Sequence, residues 1–92
     1  MSEQLLNDLL NAPSPSGFEA PAQDVIRKFA SPLADTIETD VHGNVIAGKN
    51  VDGNPRLILA AHCDQIGMLV THVDEKGYLY AQTIGGWDPQ QL

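Results

Sequence analysis

Residues 56–61, Arg-Leu-Ile-Leu-Ala-Ala, constrain the fold of this chain more than any other stretch. After the arginine every position is apolar, so an extended segment here would need cover on both faces. That is the signature of an interior strand in a sheet flanked by helices. The run 57–61 is the longest uninterrupted apolar stretch, far below the roughly 20 residues a helix needs to cross a bilayer. No membrane partner is expected, and the chain reads as soluble.

The flanking sequence supplies the rest of an α/β pattern. Leu5, Leu6, Leu9 and Leu10 recur at helical spacing behind Ser2, which suits an N-cap, so the first ten residues read as a short amphipathic helix. Ala12-Pro13-Ser14-Pro15-Ser16-Gly17 ends it. A second helix is predicted from about Pro21, burying Ala22, Val25, Ile26 and Phe29 before Ser31-Pro32 stops it. Residues 36–41 and 44–49 then read as a hairpin around His42-Gly43. Residues 66–73 and 78–84 read as a second hairpin across Asp74-Glu75-Lys76-Gly77, with Gly77 free to take the left-handed conformation. With the apolar run this makes two helices followed by about five strands. Two helices cover only one face of such a sheet, and nothing after Ile84 returns to cover the other, so further material is expected beyond residues 1–92.

Composition narrows the function classes. A chain of 92 residues accommodates one small domain or part of a larger one. Twelve acidic and five scattered basic residues give a formal charge of −7 and no cationic stripe to neutralise phosphates, which argues against nucleic acid. The single cysteine, Cys63, allows no internal disulfide, and no basic, apolar leader opens the chain. The expected compartment is the cytoplasm.

Chemistry gathers directly after the apolar run, at His62-Cys63-Asp64. Strand alternation sends the imidazole and the carboxylate to one side and Cys63 to the other. The carboxyl end of an interior strand is where open α/β sheets place their ligand crevices. A neutral imidazole suits zinc or cobalt, and a nearby carboxylate can accept its other ring N–H, fixing the tautomer. A lone His-x-Asp is nevertheless a common spacing, and by itself it more often marks two side chains that merely face solvent.

The wider sequence adds weight. Ala61-His62-Cys63-Asp64-Gln65-Ile66-Gly67 resembles the Ala-His-x-Asp-Glu-Ile-Gly segment of the glutamyl aminopeptidase family. Three further segments match in order: Pro15-Ser16-Gly17-Phe18-Glu19, Asp40-Val41-His42-Gly43-Asn44-Val45 and Gly85-Gly86-Trp87-Asp88-Pro89. The resemblance implies a zinc-peptidase-like α/β/α sandwich, of which residues 1–92 are the N-terminal part of the catalytic domain, ending at the entry to an inserted β domain that mediates assembly. It implies two divalent metal ions, zinc or cobalt, and removal of N-terminal residues from peptide substrates by metal-activated hydroxide. It also implies a homo-oligomer. His62 matches a metal-ligand position. Asp64 matches the catalytic-site carboxylate that orients that histidine. The bridging aspartate, the other ligands and the glutamate base belong to segments absent here, so the chain alone is expected to be inactive. Gln65 departs from the family's glutamate, losing a charge while keeping the shape.

Other polar residues have simpler readings. His42 belongs to a turn, His72 to a hairpin strand, and Cys63 reads as a small buried thiol. Ser16 has no base near it in sequence and reads as a turn residue. Trp87 reads as a packing residue. Two rival functions stay open. One is a noncatalytic remnant or assembly module of the same fold; the other is endoglucanase activity, which would need two carboxylates flanking the bond.

Overall fold

A computed structural model describes residues 2–91. Met1 and Leu92, the outermost residues of the expected 1–92 unit, lie outside the described residues. The order of elements is α1 (Glu3–Asn11), α2 (Ala20–Ala30), β1 (Thr36–Thr39), β2 (Val45–Gly48), β3 (Gly67–Val73), β4 (Leu79–Ile84) and a closing 3-10 turn, Pro89–Gln91. No helix among the described residues is long and apolar enough to cross a membrane.

Both helices start where side-chain chemistry directs. Ser2 caps α1, its Oγ accepting from the Leu5 N–H at 3.2 Å. The Ala12 N–H closes the other end on the carbonyls of Asp8 and Leu9. Pro21 occupies the first turn of α2, where a missing N–H costs nothing. The two helices pack on each other and α2 leans on β2; Arg27 adds a tie from α2 to β1 by donating to Thr39 Oγ1 at 3.2 Å. Burial is thinner than expected. Only Ala22 of α2 is buried, Val25 and Ile26 are half-buried, and Phe29 is exposed, since among the described residues only α1 and β2 pack substantially on this helix.

The two hairpins share one turn design. β1 pairs antiparallel with β2, and β3 with β4, the latter with an irregularity between Val70 and His72. In each connection an aspartate opens the turn and a glycine three residues later takes positive φ: Asp40 with Gly43 (φ 89°), Asp74 with Gly77 (φ 87°). Asp40 Oδ1 accepts from the N–H groups of His42 and Asn44, each at 2.9 Å. Asp74 Oδ1 does the same for Lys76 and Tyr78, also at 2.9 Å. Each carboxylate therefore satisfies two turn amides that the strand ladder leaves unpaired.

The apolar run is the main correction. Residues 56–61 form no strand, and among the described residues the two hairpins are separate two-stranded sheets. Leu57, Ile58 and Leu59 are 85 %, 91 % and 97 % exposed. A continuously apolar sequence expresses a demand for burial, but a strand exists only where neighbouring backbone accepts its hydrogen bonds. No such backbone lies beside this segment among the described residues. Four of the five expected strands form, the α/β character stands, and the shape is extended. The Cα radius of gyration is 17.5 Å, against roughly 12 to 13 Å for a compact domain of such length.

Candidate metal centre

Backbone pairing between distant segments builds the centre. The Gln65 N–H donates to the Ser14 carbonyl at 2.7 Å, and the Ser16 N–H donates to the Gln65 carbonyl at 3.3 Å, an isolated parallel bridge centred on Pro15 and Gln65. This lays the segment between the helices alongside the end of the apolar run. The Phe18 N–H then donates to the Pro15 carbonyl at 2.8 Å, with Gly17 at φ 92°. A positive φ at the third position is what a type II turn requires, and glycine supplies it without steric cost.

His62 and Asp64 project to one side, as alternation predicts, even though their segment is not a strand. His62 Nδ1 lies 2.8 Å from Asp64 Oδ1. An ionised carboxylate only accepts, so Nδ1 carries the proton, and in the neutral ring the Nε2 lone pair is left for a cation. The imidazole is 85 % exposed and the Asp64 side chain 36 %, so a ligand can reach the ring. Asp64 is held from its other side by Ser16, whose Oγ donates to Oδ2 at 2.6 Å. The hydrogen bond from Ser16, followed by that from His62, keeps the Asp64 carboxyl below the ordinary aspartate range.

The remaining candidates fall elsewhere. Cys63 is only half-buried rather than buried as expected, since its segment is not an interior strand. His42 sits in the first hairpin turn, and His72 packs against Tyr80 across the second hairpin with ring centroids 5.6 Å apart. Trp87 is half-buried and donates from Nε1 to the Gly67 carbonyl at 2.9 Å. Among the described residues no group of three or more His, Cys, Asp or Glu side chains gathers to enclose a metal. The donor set thus fits one ligand position with its orienting carboxylate, while a catalytic zinc takes about three protein ligands. Ser16 is the participant that sequence reasoning missed. It does lie in a turn, as expected, but its hydroxyl serves Asp64. The ordered match of the Pro15-Ser16-Gly17-Phe18-Glu19 segment was the available signal that it did more than end a helix.

Known proteins resemble this chain in both sequence and fold. Residues 43–92 match the sequence profile of the M42 glutamyl aminopeptidase family. The chain is 36 % identical over 91 residues to lysyl aminopeptidase of Pyrococcus furiosus, covering 97 % of this chain and 26 % of that protein. It is 33 % identical over 76 residues to glutamyl aminopeptidase of Lactococcus lactis, covering 80 % of this chain and 21 % of the relative. Its fold superposes on the crystal structure of a TET aminopeptidase from a marine-sediment Thaumarchaeota archaeon with a TM-score of 0.79 and 36 % identity, over 95 % of this chain and 24 % of the other. The chain therefore spans about a quarter of the length of these relatives.

Proposed function

This chain belongs to the M42 glutamyl aminopeptidase family, and from that premise we propose that it forms part of a metal-dependent aminopeptidase that removes N-terminal residues from peptides. The observation that carries the reading is the 2.8 Å contact between His62 Nδ1 and Asp64 Oδ1, which prepares Nε2 as a metal ligand. Residues 1–92 are then the N-terminal part of the catalytic domain. The Gly85-Gly86-Trp87-Asp88-Pro89 segment leads toward an inserted β domain, and the complete enzyme is a cytoplasmic homo-oligomer.

In this reading His62 holds one of two divalent ions, zinc or cobalt, through Nε2. Bound ions of this kind polarise a peptide carbonyl and lower the pKa of water to near neutrality. The chain's own contribution is orientation. Asp64 keeps the Nδ1 proton in place, so the ring presents one tautomer in one direction, and its negative charge makes Nε2 a stronger donor. The remaining ligands and the general base come from residues outside this chain.

The test uses the full-length protein that carries this sequence. Supplied with zinc or cobalt, it should release the chromophore from aminoacyl anilides, and His62→Ala should remove most of that activity. Soluble cellulose, run in parallel, should remain uncleaved. A full-length protein that binds neither ion and cleaves no anilide is a noncatalytic assembly module, and the reading is then wrong.

A further inference from the structure

We infer that Ser16 is a positioning residue for the metal-binding imidazole, acting through Asp64; this rests on the proposed role of His62. A carboxylate that accepts only from a histidine can still swing about its Cβ–Cγ bond and offer either oxygen at a range of angles. Asp64 has no such freedom. Ser16 Oγ engages Oδ2 at 2.6 Å and His62 Nδ1 engages Oδ1 at 2.8 Å, so the two oxygens have separate tasks. Fixing one sets the plane in which the other meets the ring.

Ser16 can perform this task because its own position is determined from both flanks. The parallel bridge holds residues 14–16 against Gln65, next in sequence to Asp64. The turn closed by Phe18 and Gly17 holds the other side. A hydroxyl on a free loop would lose side-chain and backbone entropy each time it found the carboxylate; here most of that loss is met by the fold. The hydrogen bond joins residues 48 positions apart. The segment between the two helices thus belongs to the centre although it supplies no ligand.

The experiment compares metal affinity, measured by chelator competition, with the visible absorption bands of the cobalt form, both in the full-length protein. Ser16→Ala should weaken affinity by about 10-fold, the lower end of the range for groups that orient a ligand, and should shift or broaden the cobalt bands. Ser16→Thr keeps the hydroxyl at this exposed position and should restore both readouts. Ser16→Val has the shape of threonine without the hydroxyl and should match Ser16→Ala. That pair keeps the comparison decisive if the alanine variant does not fold. Wild-type affinity and spectrum in Ser16→Ala, beside a clear loss in His62→Ala, overturn the role of Ser16 and leave the ligand standing. Equal losses in Ser16→Thr and Ser16→Val also overturn it, since the hydroxyl would then be irrelevant. If His62→Ala itself binds cobalt as the wild type does, the ligand assignment fails and takes this inference with it.

Discussion

Trp87 donates its indole N–H to the carbonyl of Gly67, the first residue of β3, at 2.9 Å. Pro15 also approaches this glycine, and its Cβ would lie 3.1 Å from a side-chain carbon added at residue 67. Gly67 is therefore where the segment after β4 and the segment beside the candidate metal centre meet. Trp87→Phe keeps the ring and deletes the donor, leaving a half-buried carbonyl without its partner. We expect a loss of about 0.5 to 1.5 kcal/mol in unfolding free energy, followed by circular dichroism in urea. No measurable change would mean that water replaces the indole.

Two glycines with nearly the same φ should respond differently to alanine. Gly77 (φ 87°) has open space where a Cβ would go, so Gly77→Ala should carry only the left-handed backbone cost of roughly 1 to 2 kcal/mol. Gly85 (φ 84°) would place that carbon 2.8 Å from Ile66 Cγ2, so Gly85→Ala should cost more. Urea midpoints of the two variants, compared directly, give the order; the reverse order would contradict this packing.

Acid should loosen the first hairpin through Asp40. The Asn44 side chain, the Asn44 amide and the His42 amide all donate to its carboxylate and hold its pKa below the ordinary aspartate value of 3.8. A depressed folded-state value means that the unfolded chain binds protons more readily. The stabilisation is present in full above the unfolded value and is lost as pH falls through the folded one. Carboxyl carbon NMR should find the Asp40 midpoint below 3.8, and Asp40→Asn should flatten the acid limb of the stability curve. A midpoint at or above the ordinary value sinks the prediction.

Asp64→Asn in the full-length protein should lower metal affinity or peptidase activity by roughly 10- to 100-fold, as loss of an orienting partner does. The asparagine retains an acceptor oxygen but loses the charge that strengthens Nε2. The fold of the metal-free protein should stay intact, with at most a small fall in thermal midpoint from weakened bonds to Ser16 and His62. A variant as active as the wild type would remove Asp64 from the site.

The exposed run should make the isolated 92-residue chain self-associate. Burying one large aliphatic side chain is worth about 1.5 to 3 kcal/mol, and Leu57, Ile58 and Leu59 stand almost fully exposed in succession. Light scattering should show mass growing with concentration, and Ile58→Lys should raise the concentration at which growth begins. A compact monomer that persists at high concentration would contradict this expectation.

Local features of this fold were legible in the sequence, and the non-local ones were not. Ser2, Pro21, Gly43 and Gly77 act on their own neighbours, so capping and turn rules located both helices and both hairpins. The meeting of His62 with Asp64 followed from side-chain alternation, which needs only three residues of extended backbone. Residues 56–61 were misread because an apolar run records the need for burial without recording whether partner strands are present. The bond from Ser16 to Asp64 was invisible for a related reason: no spacing rule links residues 48 apart. The irregularity at Val70 and His72 also left no mark, since both residues suit a regular strand.

The bridge between Pro15 and Gln65 sets a timetable for the chain as it is made. The helices and the first hairpin can form from contacts within their own neighbourhoods, on the microsecond scale. Pro15 must instead wait for Gln65 to leave the ribosome, and at about 5 to 20 residues per second that interval is several seconds. Throughout it Ser16 has no carboxylate to hold and the helical segment stands ready without its counterpart. The contact between Ser16 and Asp64 can thus form only after the helices and the first hairpin are in place, and a pause in translation within the intervening stretch would prolong the period during which Ser16 stands without its partner.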